Sequence, residues 1–222
     1  MIAERAETLR QRIARACDRC GRDAAEVELL PVSKRQPAKA IREAAALGFQ
    51  TFGENYVQEG VAKHQELPEL FFHLIGPLQR NKAKAALEHF QEILTVDRVE
   101  LASRLSHLAE ELRVHRGFWI QVDLWDEATK EGGCGENGIA PILAEVQNPT
   151  GLDFKGFMAI PPPGNPAAFT EMRELRERWQ QKLGQPLRLS MGMSNDLEAA
   201  IAAGSDQVRI GTALFGERLL PI

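Results

Sequence analysis

The sequence has 222 residues, of which 44% are hydrophobic and 26% are charged, and its formal net charge at neutral pH is -4. This length suits a single large core, and the composition is not that of a disordered or fibrous chain. A slightly acidic protein has no surplus of Lys and Arg to neutralise a phosphate backbone, so nucleic acid is not expected as a partner.

The first twenty residues predict an amphipathic helix and not a targeting segment. Ile2, Leu9, Ile13 and Ala16 lie at helical spacing, and the charged residues between them leave no apolar core of a signal peptide. No apolar run reaches the roughly 20 residues that cross a bilayer. We therefore expect a cytoplasmic protein that does not contact membranes.

The three cysteines, Cys17, Cys20 and Cys134, are an odd number, which suits a reducing compartment better than a disulfide framework. Cys17 and Cys20 form a C-x-x-C motif. A zinc ribbon would need a second pair, and a thioredoxin motif would need a preceding strand. Since neither accompanies the motif, we interpret both residues as lying at the end of the first helix.

After the first helix, short apolar or β-branched runs alternate with helical patterns, which is typical of a parallel sheet built from βα units. The connection Val57–Gln65 has the least marked helical pattern. The other predicted helices are Ala38–Leu47, Asn81–Glu88, Glu100–Leu112, Ile139–Val146, Ala167–Lys182 and Asp196–Ala203. The predicted strands are Val27–Ser33, Thr51–Gly53, Phe71–Gly76, Ile93–Val96, Phe118–Leu124, Gly156–Ile160, Leu187–Met191 and Gln207–Ile210.

Eight predicted strands favour a closed barrel over a doubly wound open sheet, which more often has five or six. No linker rich in Pro, Gly or Ser divides the chain, and it ends shortly after the eighth strand. We therefore predict an α/β fold in which residues 1–222 form one TIM-type (β/α)8 barrel domain with an N-terminal helix.

The functional residues of such barrels project from the C-terminal ends of the strands. Lys34 directly follows the first predicted strand. A lysine that loses its hydration there has a lowered pKa and can attack an aldehyde to form a Schiff base. From position alone, the alternative is a lysine that extends its charged end into solvent at the barrel rim.

The segments after the last two strands contain small residues that suit an anion site. Ser194, Gly211 and Thr212 let backbone N–H groups approach a phosphate, and the loops after strands seven and eight commonly bind one. A helix that starts at Asp196 would add the positive end of its dipole. The alternative is ordinary turn chemistry, in which Ser194 or Asn195 caps that helix.

Arg209 lies inside the eighth predicted strand, between Val208 and Ile210. Burial of a guanidinium there is costly unless its N–H donors meet acceptors. The acceptor could be a carboxylate, which would be a structural role, or the ring nitrogen of a bound cofactor. The sequence leaves both alternatives open.

The segment Gly133–Gly138 matches the G-x-G-x-x-G motif of dinucleotide-binding proteins and precedes a helix. That motif requires its first glycine at the end of a strand, whereas residues 125–132 intervene here. We therefore interpret the segment as a flexible glycine-rich loop. The five histidines show no metal-ligand spacing, so no metal site is expected.

Five segments, spread from the first strand to the last, carry distinctive motifs. They are PVSK at Pro31–Lys34, FGENYVQE at Phe52–Glu59, FHLIGPLQRNK at Phe72–Lys82, LSMGMSND at Leu189–Asp196 and VRIGTALFG at Val208–Gly216. In composition and order these motifs closely resemble the YggS/PROSC family of homeostasis proteins that bind pyridoxal 5′-phosphate (PLP). The stretch Trp125–Gly138 is longer and richer in glycine than this resemblance implies.

The resemblance implies a barrel like the N-terminal domain of alanine racemase, with PLP as the cofactor and Lys34 as its Schiff-base anchor. Arg209 would face the pyridine nitrogen, and Asn55 would lie near the phenolic side of the ring. The phosphate would be held by Ser194, Gly211 and Thr212, with Ser190 nearby.

The resemblance and Arg209 together favour a carrier over a catalyst. PLP stabilises carbanions best when its ring nitrogen is protonated, and an adjacent arginine keeps that nitrogen unprotonated. Alanine racemase tolerates this arginine but takes a second base, a tyrosine, from a further domain, whereas the sole tyrosine here is Tyr56. We predict a monomeric protein of vitamin B6 homeostasis without catalytic residues, whose partners are PLP and apo forms of PLP-dependent enzymes. The alternative is a monomeric amino-acid racemase with Lys34 as its only base.

Overall fold

The core of the molecule is a sheet of eight parallel strands that follow the apolar and β-branched runs of the sequence. The computed structural model describes residues 1–125, 132–146 and 151–216. The strands are β1 (Glu28–Pro31), β2 (Thr51–Glu54), β3 (Phe71–Leu74), β4 (Glu92–Val96), β5 (Arg116–Gln121), β6 (Leu152–Met158), β7 (Arg188–Ser190) and β8 (Gln207–Ile210).

The sheet curls until its first two strands meet. Its hydrogen-bonded order is β1-β8-β7-β6-β5-β4-β3-β2. A parallel bridge between Val32 and Gly53 joins β1 to β2, and Ser33 N donates a 2.9 Å hydrogen bond to Gly53 O. We call the junction formed by these three residues the seam. The predicted α/β barrel of eight strands is confirmed.

Helices connect the strands on the outside of the barrel, and each predicted helix is present. Two short 3₁₀ turns, Ala24–Glu26 and Arg80–Lys82, precede β1 and the fourth helix. The helices in the described ranges are α1 (Ile2–Cys20), α2 (Ala38–Ala45), α3 (Val57–Glu66), α4 (Ala83–His89), α5 (Val99–Leu112), α6 (Glu136–Ala144), α7 (Ala167–Leu183), α8 (Leu197–Ala202) and α9 (Thr212–Phe215). The short α9 was not predicted. None of these helices is long and apolar enough to cross a membrane.

The N-terminal helix α1 packs its apolar stripe against α8 and α9. Leu9, Ile13 and Ala16 are buried, as their helical spacing predicts. Cys17 is buried and Cys20 is exposed at the last turn, so the interpretation of the C-x-x-C motif as the end of a helix is confirmed.

The buried apolar side chains of the described residues form two groups. The larger joins the sheet to the surrounding helices. The smaller consists of Leu94, Trp119 and Met158, with Ile75 and Ile160 packed against it. Because these two isoleucines also line a pocket, the smaller group forms the floor of that pocket.

The predicted start of the sixth strand at Gly156 is wrong, because this glycine lies inside β6. The pairing register between β5 and β6 shifts beside it, and its φ of 145° is one that other residues rarely adopt. A Cβ at this position would also collide with Arg188 O. The glycine therefore marks a bulge and not a strand boundary.

The interpretation of Gly133–Gly138 as a flexible loop is also wrong. Cys134 forms a parallel bridge with Val122, and it exchanges 3.0 Å backbone hydrogen bonds with Gln121 and Asp123. Glu136 already begins α6. The segment therefore continues the pairing beyond β5. Within the glycine-rich stretch Trp125–Gly138, residues 126–131 lie outside the described residues.

Candidate functional site

A pocket of about 240 Å³ opens at the C-terminal ends of the strands. Six of the seven predicted site residues line it, although they come from segments far apart in the sequence. The seventh, Ser190, lies behind Arg209. The lining residues are Val32, Lys34, Asn55, Ile75, Ile160, Met193, Ser194, Arg209, Gly211 and Thr212.

The alternation of side chains along an extended chain brings Lys34 to the pocket. Val32 and Lys34 both line it, while Ser33 between them faces the opposite side and is fully buried. Lys34 is half-buried. The structure therefore places this lysine at the pocket wall, which is the position that the anchor hypothesis requires.

Arg209 reaches the same pocket from β8, with its guanidinium buried. Its Nη1 donates to Ser190 O (2.7 Å) and Ser190 Oγ (2.8 Å), and its Nη2 donates to Ala159 O (2.8 Å). Burial lowers the pKa of Arg209 to about 10, and the nearby Asp196 carboxylate opposes that shift. The side chain therefore remains charged at neutral pH.

The acceptors of Arg209 bear on the two alternatives that the sequence left open. In the hydrogen bonds described above, the guanidinium meets two backbone carbonyls and one hydroxyl, and no carboxylate. These bonds use three of the five N–H donors of an arginine. Donors are thus left over in a side chain that lines the pocket.

Ser190 orients Arg209 and does not line the pocket. Its hydroxyl accepts from Arg209 Nη1 and donates to Gln207 Oε1 at 2.7 Å, and the residue is fully buried. The resemblance implied only that Ser190 lies near the phosphate, and a hydrogen bond from its hydroxyl to a phosphate would require it to leave Gln207 Oε1. We therefore assign Ser190 to the support of the guanidinium.

The loop before α8 forms one wall of the pocket and is held from two sides. Asp196 Oδ1 accepts a 2.6 Å bond from Met193 N, and Arg12 of α1 donates a 3.0 Å bond to Ser194 O. The helix begins at Leu197, one residue later than predicted, and no side chain caps it. The capping role considered for Ser194 or Asn195 is therefore wrong. With only six residues, α8 is also too short to carry the predicted dipole argument.

Asn55 lines the pocket from the end of β2. Its Oδ1 is buried, and no hydrogen-bond partner for it lies within the described ranges. A buried polar atom without a partner costs free energy, so a ligand that supplies a hydrogen bond there would be stabilised. The amide can present either its oxygen or its nitrogen, because their assignment follows from the surrounding bonds.

The sequence reasoning missed four apolar lining residues, which are Val32, Ile75, Ile160 and Met193. A signal was available, because Val32, Ile75 and Ile160 lie at or near the ends of predicted strands, where barrel sites are built. No group of three or more His, Cys, Asp or Glu side chains within the described ranges could hold a metal ion.

The fold and the pocket define a barrel of the alanine racemase N-terminal type. Residues 5–219 match the family described as "Alanine racemase, N-terminal domain". An alanine racemase of Clostridium difficile in complex with cycloserine has the same fold, with a TM-score of 0.71 over 86% of this chain and 55% of that one. The sequence identity is only 14%, so this likeness concerns the fold alone.

Other proteins are similar over nearly their whole length. The pyridoxal phosphate homeostasis protein of Pseudomonas aeruginosa is 46% identical, with 98% of this chain and 96% of that protein covered. The protein of the same name from Escherichia coli K12 is 41% identical, with 98% and 97% covered. PipY of Synechococcus elongatus, solved with PLP bound, has a TM-score of 0.84 and 39% identity over 97% of this chain and all of that one. The chain therefore belongs to the pyridoxal phosphate homeostasis protein family.

Proposed function

We propose that the protein binds PLP in this pocket, with the Lys34 amine as covalent anchor, and acts as a carrier and buffer in PLP homeostasis. The observation that carries the proposal is the convergence of Lys34, Arg209 and the small residues of the last two loops on one pocket. The names of the relatives and the PLP-bound structure of PipY support it.

The chemistry of the pocket fits the parts of PLP. When bound, PLP supplies an aldehyde, to which a lysine amine bonds covalently, and an electron-withdrawing ring. Lys34 would hold the aldehyde carbon, and Ile75 and Ile160 offer apolar surface to the ring. The buried Oδ1 of Asn55, which has no hydrogen-bond partner among the described residues, and the remaining donors of Arg209 provide polar contacts at the pocket wall.

The phosphate would lie at Ser194, Gly211 and Thr212. A Cβ added to Gly211 would lie in ordinary contact with Val32, at 3.6 Å, so the two residues form the same part of the pocket wall. The hydroxyls of Ser194 and Thr212 add hydrogen-bond donors. These groups suit a phosphate because bonds to a charged acceptor are stronger than neutral ones.

Two features support a carrier without turnover. The charged Arg209 would keep a facing ring nitrogen unprotonated, which weakens the ring as an electron sink. Among the pocket-lining residues that the structure describes there is no His, Tyr, Cys, Asp or Glu. Tyr56 is half exposed at the start of α3 and does not line the pocket. Lys34 is therefore the one base that we identify there.

The PLP-loaded protein should be incubated with a panel of L-amino acids in deuterated buffer. We expect no accumulation of D-enantiomer, because a two-base racemisation would lack its second base. We also expect no α-proton exchange above that of free PLP, because a ring whose nitrogen is unprotonated stabilises a carbanion poorly. Amino-acid turnover that depends on Lys34 would instead establish the racemase alternative.

We further propose that the protein acts as a monomer in the cytoplasm and delivers PLP to apo forms of PLP-dependent enzymes. The three free cysteines support a reducing compartment. In the described part of the chain, the exposed large hydrophobic residues belong to different segments and form no continuous element face. They are Met1, Tyr56, Phe71, Leu183 and Met193.

A further inference from the structure

We propose that Lys63 is a positioning residue for Lys34, which it holds from behind the seam through a buried network with Ser33, Glu54 and Glu59. This inference rests on the proposed role of Lys34 as the PLP anchor. Lys63 lies on α3 and bonds to Ser33 and Glu54, whose side chains face away from the pocket, and it is not among the described residues that line the pocket.

The network is compact and buried. Lys63 Nζ donates to Ser33 O (2.6 Å), Glu54 Oε1 (2.6 Å) and Glu59 Oε1 (2.7 Å). Ser33 Oγ donates to Glu54 Oε1 at 2.5 Å. Lys63 is 8% exposed and Glu54 is fully buried. An ammonium has three donors, and all three are used here.

The network makes hydrogen bonds to both residues adjacent to Lys34 in the sequence, Ser33 and Arg35. Ser33 is held at its carbonyl by Lys63 and at its hydroxyl by Glu54. On the other side, Glu59 Oε1 accepts a hydrogen bond from Arg35 N. Arg35 has a φ of 59°, in the left-handed region that residues other than glycine rarely adopt. Because such a conformation persists only where its surroundings enforce it, the bond from Glu59 fixes the turn that carries Lys34.

Stability alone does not account for this arrangement. Burial raises the pKa of Glu54, and the adjacent Lys63 ammonium opposes that rise. Glu54 Oε2 is buried without a hydrogen-bond partner in the described part of the chain. Buried ion pairs of this kind are often no more stabilising than well-packed apolar residues, whereas they do fix geometry. Here the geometry that they fix is the backbone on both sides of Lys34.

Loss of the network should affect the covalent attachment of PLP and its non-covalent contacts differently. The proposed phosphate contacts and Arg209 come from β8 and the loops after β7 and β8, and the apolar ring contacts Ile75 and Ile160 follow β3 and β6. The hydrogen bonds described for the network reach none of these groups, and only Asn55 adjoins it, because Asn55 follows Glu54 in the chain. The covalent attachment depends on where the Lys34 amine lies. Loss of Lys63 should therefore weaken attachment while it leaves the remaining contacts intact, because a misplaced reacting group lowers the effective concentration at the partner atom.

The test compares two ligands in Lys63→Met, with Lys39→Met, an exposed lysine on α2, as the matched control. PLP can bond to Lys34, whereas pyridoxine 5′-phosphate has an alcohol in place of the aldehyde and cannot. We expect Lys63→Met to bind PLP at least about tenfold more weakly and to keep its affinity for pyridoxine 5′-phosphate within about twofold. Lys39→Met should match the parent for both ligands.

The outcomes separate this inference from the proposed function. If PLP is not fixed to Lys34 in the parent protein after borohydride reduction, the proposed function fails. If the parent is labelled there but Lys63→Met binds PLP as tightly, or loses both ligands equally, the positioning role is overturned. Should Lys63→Met not fold, the double variant Lys63→Met/Glu54→Gln removes the unpaired buried carboxylate, and the same comparison of ligands applies to it.

Discussion

Single residues at the mouth of the barrel take their roles from the direction in which they point. Val32 and Lys34 face the pocket, whereas Ser33 and Glu54 face α3, because side chains alternate along an extended chain. Asn55 follows the same rule on β2 and faces the pocket. Two neighbouring strand ends thus serve both the pocket and the network behind it.

Ser190→Ala should destabilise the protein through Arg209. The hydroxyl accepts from the guanidinium and donates to Gln207, so its removal leaves Gln207 Oε1 without this donor in a fully buried place. We expect a loss of about 1–3 kcal/mol in the free energy of unfolding in urea. Ser103→Ala, at an exposed position of α5, should stay within about 0.5 kcal/mol of the parent. Equal stability of the two variants would contradict the supporting role of Ser190.

The sequence predicts single residues well where a strand end alone determines their position. Lys34, Ser194, Gly211 and Thr212 were identified in this way or by resemblance, and they do share one pocket. The acceptors of Arg209 were not predictable, because two of its bonds go to backbone carbonyls that sequence patterns do not reveal. The network of Lys63 was not predictable either. The sequence indicates only the pairing of Glu59 with Lys63 at helical spacing, whereas Ser33 is 30 residues away from Lys63.

At the scale of elements, close packing between α3 and α4 depends on Gly60. A Cβ at this position would collide with the ring of Phe90, which is fully buried. Alanine would gain about 1 kcal/mol of helix propensity, but overpacking in a core costs about 1–3 kcal/mol. The glycine therefore lets α3 pack closely against the end of α4.

We expect Gly60→Ala to lower the thermal midpoint despite its better helix propensity. The matched control is Gly135→Ala, because Gly135 has a φ of -67° and a Cβ there meets no atom within 4 Å. That variant should be as stable as the parent within about 0.5 kcal/mol. If calorimetry shows Gly60→Ala to be the more stable of the two, the packing argument is wrong.

The attachment of α1 to α8 should depend on pH. Arg12 hydrogen-bonds to Glu198 at 2.7 Å and lowers the pKa of that carboxyl below its ordinary value of 4.5. A carboxyl whose pKa is lower in the folded state stabilises the protein above its unfolded-state pKa, and this contribution is lost as the pH falls through the folded-state value. Since both side chains are partly exposed, the pair contributes about 0.2–1 kcal/mol.

Glu198→Gln should therefore be less stable than the parent at neutral pH, by about 0.5 kcal/mol, with a difference that narrows as the pH falls below 4.5. In an Arg12→Gln background the same substitution should make a smaller difference, because only the weaker effects of Arg19 and of the backbone on the carboxylate remain. Urea unfolding of the four proteins across this pH range measures both expectations. If the difference in free energy of unfolding between Glu198→Gln and the parent persists or widens in acid, the ion pair is not the cause of that difference.

Element positions were predictable from periodicity, and the errors have local causes. The eighth strand, Gln207–Ile210, has the predicted bounds, and α3 formed where the helical pattern was least marked. Gly156 was taken for a strand boundary because a bulge and a turn both favour glycine. Cys134 was taken for loop because a single bridge beside β5 leaves no periodic pattern.

At the scale of the whole molecule, closure of the barrel brings the chain's distant parts to one place. Lys34 follows β1, while the proposed phosphate contacts follow β7 and β8, and the barrel order makes β1 and β8 neighbours. The seam between β1 and β2 adds Asn55 and, behind it, the network of Lys63. The extent of residues 1–222 as one domain stays a prediction.

The central claim is that PLP is anchored by Lys34. It is tested most directly by incubation of the protein with PLP, borohydride reduction, proteolysis and mass spectrometry of the peptides. We predict that the fixed cofactor is found on the peptide that contains Lys34, and that Lys34→Ala remains folded but carries none. Label on another lysine of the parent, or undiminished label in Lys34→Ala, would contradict the account.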